Sequence, residues 1–370
     1  MKNDQKYMQL ALDLAAGARG NTNPNPLVGA VIVKDGIIVG TGLHRKAGEP
    51  HAEVHAFHMA GEHAIGATLY VTLEPCSHFG KTPPCANLVK ESGVARVVIA
   101  MKDPNPSVAG RGIQLLQDAG IEVEVGLLEQ QARRLNERFI HNMVTNRPFV
   151  VSKIAMTLDG KIATANGHSQ WITGEAARQH VHELRSEMDA ILVGVGTILT
   201  DNPQLTTRLT NRISKNPIRI ILDSKLQTPL SSHVANTTEA KTLLVTSLEA
   251  DEKKAKNLST QGVEIIRVGK DERGLKIEEM LSQLYHRGIT DILLEGGGMV
   301  NASFLRAGLI DQFIVYISPK LLGGEHSISP FRGEDVDSME AAMQLNFSDV
   351  QKIGDDLVVI AYPKRGDFYA

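Results

Sequence analysis

Pro50-His51-Ala52-Glu53 is answered downstream by Pro75-Cys76 and by Cys85, which closes the run Cys76-Ser-His-Phe-Gly-Lys-Thr-Pro-Pro-Cys85. One imidazole and two thiolates supply three ligands to a tetrahedral Zn²⁺ and leave the fourth corner open for water. That is the arrangement of a catalytic rather than a structural zinc. Glu53 is not counted among the ligands and is free to move protons between the water and a leaving nitrogen. On a regular helix, residues i and i+2 point roughly 200° apart. His51 and Glu53 therefore share a site only where a helix begins, and Pro50 fits such a start.

His-x-Glu followed by Pro-Cys and a second Cys is the signature of zinc nucleobase deaminases, so the front of the chain reads as a deaminase. Its surroundings agree. Apolar residues at helical spacing over 5–18 (Met8, Leu12, Ala15) precede the turn-rich loop Asn21-Thr-Asn-Pro-Asn-Pro26, whose Asn25 is suited to hydrogen-bond a planar heterocycle. Residues 28–40 read as a β-hairpin around Lys34-Asp-Gly36. The buried-strand pattern 67–73 delivers Cys76 to a strand-to-helix corner, and Cys85 opens a helix over 86–91. The positive end of that helix favours the thiolate that zinc requires. A further strand (94–101) leads to Asp103-Pro-Asn-Pro-Ser-Val-Ala-Gly-Arg-Gly112, a loop at a strand's C-terminal end where α/β sites collect. One long amphipathic helix is expected from Leu127 to about Val144. The alternation predicts an α/β layer sandwich that ends at Asn146-Arg-Pro148.

Composition narrows the possibilities. The chain has 370 residues, enough for two domains, and its 42% hydrophobic and 22% charged residues suit a globular protein. A net charge of −3 argues against a broad nucleic-acid-binding surface. Both cysteines fall in the proposed site, so no disulfide framework is expected and a reducing, cytoplasmic setting fits. Neither a signal peptide nor a membrane span is expected.

From Phe149 the pattern restarts. Strands are expected at 149–156, 190–196, 218–222, 242–246, 263–267, 289–294 and 357–361, with helices at 174–188 and 299–307. Residues after Gly323-Gly324 read as a solvated loop. Glu295-Gly-Gly-Gly298 joins a strand to a helix, where backbone amides can approach a phosphate. It lacks the spacing of a Rossmann fingerprint.

Eight residues separate the two cysteines, against two in the common deaminase pattern, and His78, Lys81 and Thr82 of that insert are placed to reach a substrate. With Asn23-Pro-Asn-Pro-Leu-Val-Gly29 and His44-x-x-Ala-Gly-x-Pro-His-Ala-Glu53, this spacing resembles the deaminase half of the bifunctional riboflavin-biosynthesis deaminase–reductases. Ser152-Lys-Ile-Ala-Met-x-Leu-Asp-Gly160, Ser169-x-Trp-Ile-Thr173, Gly196-Thr-x-x-x-Asp-x-Pro-x-Leu-Thr-x-Arg208 and Glu295-Gly-Gly resemble the reductase half. The resemblance implies a cytidine-deaminase-like α/β/α domain over 1–146 and a dihydrofolate-reductase-like α/β domain over 147–370. It implies Zn²⁺ on His51, Cys76 and Cys85, with Glu53 catalytic. It implies NADPH on Ala155, Trp171, Thr197, Asp201, Ser224 and the stretch Gly297, Gly298, Met299, Val300, Asn301, Ala302 and Ser303. Substrate contacts follow for Lys153, Ser169, Arg185, Leu205, Arg208 and Glu295, beside Asn25 in the first half. The expected partner is a phosphorylated pyrimidine, with neither nucleic acid nor membrane. A homo-oligomer is implied by the resemblance alone. Two other readings remain: an RNA-editing adenosine deaminase, opposed by the acidic balance and the second domain, and a protein that keeps zinc only for stability, which leaves Glu53 without a purpose.

Overall fold

The computed structural model describes residues 2–77, 83–105, 109–209 and 214–364; His78, Lys81 and Thr82 lie outside them. The chain divides into two compact units, one running to Asn146 and the other beginning at Arg147. Among the described residues, no helix is long and apolar enough to cross a membrane.

The first unit contains α1 (Lys2–Ala16), β1 (Gly29–Lys34), β2 (Ile37–Leu43), α2 (Ala52–Ala60), β3 (Thr68–Val71), α3 (Cys85–Glu91), β4 (Arg96–Ile99), α4 (Arg111–Asp118), β5 (Glu122–Val125), α5 (Glu129–Leu135) and α6 (Glu137–Thr145). Its sheet runs β2-β1-β3-β4-β5, antiparallel through β3 and parallel from β3 to β5. Asp35 and Gly36 both take positive φ in the β1–β2 turn, the backbone that matches the twist of a two-residue hairpin. Val31, Leu69, Val97 and Ile99 are wholly buried, as central strands covered on both faces require. The helices lie very close. A Cβ on Gly29 would fall on the Ala11 carbonyl of α1, and Cβ atoms on Gly40 and Gly42 on the Ala56 and Ala52 carbonyls of α2.

The single helix expected over 127–144 is two. It breaks at Asn136, whose side chain accepts from the Leu27 amide (2.8 Å) and donates to the Leu27 carbonyl (2.9 Å). Periodicity records which face is apolar and is blind to a polar clamp of this kind.

The second unit comprises β6 (Phe149–Thr157), α7 (Glu175–Glu187), β7 (Ala190–Gly194), α8 (Val195–Asp201), β8 (Ile218–Leu222), β9 (Thr242–Ser247), α9 (Glu252–Ser259), β10 (Glu264–Val268), the two-residue strands β11 (Lys270–Asp271) and β12 (Gly274–Leu275), α10 (Ile277–His286), β13 (Asp291–Leu294), α11 (Gly298–Arg306), β14 (Gln312–Ser318), β15 (Leu345–Ile353) and β16 (Asp356–Pro363). The main sheet has nine strands in the order β10-β9-β8-β7-β13-β6-β14-β16-β15. It is parallel from β10 to β14, and β16 and β15 are antiparallel additions. Two expectations need correcting. The strand expected to run to Gly196 stops at Gly194, where α8, which was not foreseen, takes over from Val195. β15 was not foreseen: it is an edge strand exposed along most of its length, so it lacks the buried face that alternation would reveal.

Candidate active sites

In the first unit, His51 occupies the N-cap position of α2 in an extended conformation, φ −74° and ψ 168°. This backbone turn lets His51 and Glu53 address one place despite their spacing. Cys76 follows β3, and Cys85 is the first residue of α3. The ligand atoms of His51, Cys76 and Cys85 all lie within 4.8 Å of one another. His51 Nδ1 stands 3.2 Å from Cys85 Sγ and 3.7 Å from Cys76 Sγ, and the Cys85 amide donates to Cys76 Sγ at 3.3 Å. Cys76 is the thiol held low. The adjacent Cys85 thiol donates to it, burial works the other way, and His51 and the Cys85 amide add to the lowering. Glu53 is 3% exposed, its Oε2 has no hydrogen-bond partner, and burial pushes its carboxyl up to about 7. One nitrogen and two sulfurs at this spacing, beside a buried carboxylate oxygen without a partner, form a donor set that fits zinc.

His51, Glu53 and Cys76 line a cavity of about 270 Å³, whose wall also includes Asn25, His44, Asp103 and Asn105. Pro50 O can only accept, so His44 Nδ1, 3.2 Å away, carries the imidazole proton. In the neutral ring Nε2 must then accept, and Asn25 meets it at 3.1 Å through its NH₂. The Asn25 oxygen is thereby left for a donor on a ligand. Glu74 organises the opposite wall by accepting from four backbone amides: Asp103 (3.2 Å), Gly110 (3.0 Å), Gly112 (2.9 Å) and Ile113 (3.3 Å). His44, Asp103, Asn105 and Glu74 were not named as site residues from the sequence. The Asn-Pro loop at a strand's end was the available signal for Asp103 and Asn105.

In the second unit the candidate residues gather at the C-terminal ends of parallel strands. β6 and β13 pair with Ser152 opposite Leu294, so the next residues, Lys153 and Glu295, fall side by side. Lys153 Nζ lies 3.2 Å from Glu295 Oε2, and Arg185 on α7 contacts both Glu295 oxygens. Burial alone would raise the Glu295 carboxyl. The Arg185 and Lys153 charges more than offset this and hold it well below the usual carboxylate range. Arg208 bonds Gln204 Oε1 at 2.9 Å and has no ion pair with a carboxylate among the described residues. Its amide donates to His182 Nδ1 at 3.3 Å. Burial first, then Arg185 and Arg208, press His182 down to about 4. His182 also escaped notice, although it lies on α7 three residues before Arg185, on a shared face.

The remaining residues are placed unevenly. Thr197 lies in the first turn of α8 after β7, Ser224 follows β8, and Gly297 follows β13, three strands that are neighbours in the sheet. Thr197 Oγ1 is 3.9 Å from where a Gly297 Cβ would stand. Asp201 closes α8. Trp171 is 64% exposed, with Arg178 Cζ 4.8 Å from its ring centroid and Lys320 Nζ bonded to its carbonyl at 2.7 Å. Ala155 lies on β6, and Ser169 lies in the segment between β6 and α7. Leu205 is buried with φ +53°, so its main chain rather than its side chain is on offer. Residues 298–303 form the first turns of α11. Met299 is exposed, Val300 half-buried, Asn301 and Ala302 buried, and Ser303 Oγ donates to the Met299 carbonyl.

Fold and sites together define a two-part enzyme, a zinc-dependent deaminase joined to an α/β reductase. The model of the cytidine and deoxycytidylate deaminase zinc-binding region matches residues 1–101, and that of the RibD C-terminal domain matches residues 148–359. The riboflavin biosynthesis protein RibD of Bacillus amyloliquefaciens is 48% identical over 363 residues, covering 98% of this chain and 97% of that one. The structure of Acinetobacter baumannii RibD superposes with a TM-score of 0.88 at 40% identity, covering 98% of this chain and 99% of that one. That of the diaminohydroxyphosphoribosylaminopyrimidine deaminase/5-amino-6-(5-phosphoribosylamino)uracil reductase of Thermotoga maritima gives 0.85 at 39% identity, with coverage of 98% and 99%. The chain belongs to the RibD family, the bifunctional deaminase–reductases of riboflavin biosynthesis, with a cytidine-deaminase-like first part and a dihydrofolate-reductase-like second. Its cofactors are Zn²⁺ and NADPH.

Proposed function

We propose that residues 1–146 deaminate 2,5-diamino-6-(5-phosphoribosylamino)pyrimidin-4(3H)-one. Residues 147–370 then reduce the ribosyl group of the product with NADPH, giving 5-amino-6-(5-phosphoribitylamino)uracil. The observation that carries this reading is the cluster of His51, Cys76 and Cys85 beside the buried, unpartnered Glu53 Oε2. Zn²⁺ held by those three residues supplies Lewis acidity, making a hydroxide-strength nucleophile available at neutral pH. Glu53 takes the proton of the attacking water, passes it to the ring nitrogen, and then assists the leaving amine. Water and the amino-bearing carbon thus become a carbonyl and ammonia. Asn25, fixed by His44, offers its oxygen to the ring's donors.

In the second unit NADPH supplies the hydride for the sugar carbon. Lys153, paired with Glu295, holds the opening sugar's oxygen, and Arg208 receives the substrate phosphate as a charge-assisted donor. Ser169 and the Leu205 main chain complete the substrate side. Ala155, Trp171, Thr197, Asp201, Ser224 and the start of α11 take the cofactor. The substrate is a small phosphorylated pyrimidine, with no part for nucleic acid or membrane, and the enzyme acts in the cytoplasm as a homo-oligomer.

The test is to follow ammonia release from the diaminopyrimidinone and NADPH oxidation on pre-deaminated substrate as separate assays with zinc-loaded protein. Absence of ammonia release would overturn the first assignment, and absence of NADPH oxidation the second.

A further inference from the structure

Arg332 lies against the N-terminus of α11 and has no assigned role. Its amide bonds the Gly298 carbonyl at 3.0 Å. A Cβ on Gly298 would stand 2.6 Å from Arg332 Cγ and 2.9 Å from Cδ, so the arginine stem lies across the glycine. Asn301 of the same helix ties this segment down by donating to the Pro330 carbonyl at 3.0 Å. Arg332 is exposed, and no carboxylate pairs with it among the described residues, whereas Arg306 of the same helix has Glu334. Gly297, the N-cap of α11, has no side chain with which to cap the first-turn amides. These amides and the helix dipole favour an anion. A second observation marks the place as a ligand site: Asn301 is 2% exposed, and its Oδ1 has no partner, an acceptor suited to a ribose hydroxyl beside the diphosphate rather than to the anion itself. That oxygen lies 3.2 Å from where a Gly296 Cβ would stand, at the same turn.

We propose that Arg332 is the cation that holds the cofactor's diphosphate against the start of α11. This rests on the reading of Gly297–Ser303 as the dinucleotide-binding stretch. Glu295, placed beside the sugar that takes the hydride, lies three residues before Gly298. The part of the cofactor that reaches Gly298 is therefore the part next to the nicotinamide ribose, which is the diphosphate, and not the distant 2′-phosphate.

Arg332→Gln tests this, because glutamine keeps the stem across Gly298 and drops the charge. Dissociation constants for NADPH and NADH are read from nicotinamide fluorescence on the full chain, with thermal melting to confirm the fold. Both constants should rise at least about tenfold, the loss expected for a charge-assisted contact, and Arg332→Lys should restore part of the affinity. Weakening of NADPH alone would place Arg332 on the 2′-phosphate and overturn the proposal. Gly297→Ala separates the two readings, since an added methyl at φ −69° strains nothing yet crowds the approach to the amides. If Gly297→Ala weakens binding and Arg332→Gln does not, the cofactor stretch stands and Arg332 is a surface residue. If neither variant weakens binding, the cofactor stretch itself is misplaced.

Discussion

Arg185 grips both oxygens of Glu295, Nε to Oε1 at 2.7 Å and Nη2 to Oε2 at 2.9 Å. Its third nitrogen, Nη1, donates to the Thr206 carbonyl at 3.2 Å. A guanidinium engaged in this way has little left for a phosphate, whereas its neighbour Arg208 meets only neutral acceptors.

The two arginines should therefore fail differently. Arg208→Ala should raise KM for the reductase step and reduce the preference for phosphorylated over dephosphorylated substrate, by about 1.5–3 kcal/mol of lost contact. Arg185→Ala should instead lower stability by about 3–5 kcal/mol, because Glu295 keeps only Lys153. An Arg208→Ala enzyme that still prefers the phosphorylated substrate as strongly as before would remove Arg208 from the site.

His182 gives a pH signature. Its folded pKa, about 4, lies below the ordinary histidine value, so the folded state favours the neutral ring. The resulting stability is fully present above about pH 6.5 and is lost as pH falls toward about 4. Urea unfolding followed across that window should show His182→Gln losing less stability on acidification than the wild type. Parallel curves would mean that neither burial nor the two arginine charges hold the ring neutral.

Zinc removal should separate the activities. The cluster of His51, Cys76 and Cys85 lies wholly in the first unit. A strong chelator should stop ammonia release and leave NADPH oxidation on pre-deaminated substrate intact. Equal loss of both would make the metal a support for the whole chain.

Glu53→Gln should retain close to one zinc per chain and lose deamination. Glutamine keeps the size of the side chain but cannot accept a proton. General acid–base contributions are typically about 10²–10⁴-fold, and Glu53 serves more than one transfer, so the upper end is expected. NADPH oxidation should be untouched. Loss of zinc in this variant would make Glu53 a ligand, and retained ammonia release would sink the mechanism.

The zinc cluster was legible because its chemistry admits few residue types at fixed places, and His51, Cys76 and Cys85 announce themselves from 25 and 34 residues apart. Most strands of both units were legible because buried runs such as Ala190–Gly194 have few other uses, although the buried β14 and the exposed β15 were both missed. What stayed hidden depends on partners distant in the chain. Asn136 breaks a helix by reaching Leu27, 109 residues away, and nothing local to 127–144 foretells it. The sequence displays the charge of Arg185 but not its pairing with Glu295, 110 residues further on. Glu74 carries no local sign of its role, because its four amide donors come from beyond the next strand, two before α4 and two from its first turn.

Gly40 and Gly42 set a practical limit on redesign. Because the Ala56 and Ala52 carbonyls of α2 occupy the space of the missing side chains, this helix cannot be raised or tilted to enlarge the pyrimidine cavity without dragging Glu53 with it. A library aimed at bulkier rings should therefore leave positions 40 and 42 alone and vary the rim on the far side, at Pro26, Phe139 and Met143, which line the cavity from outside α2. The enzyme's appetite for new heterocycles can be tuned at that rim, while the Glu53 carboxylate rides on a part that tolerates no adjustment.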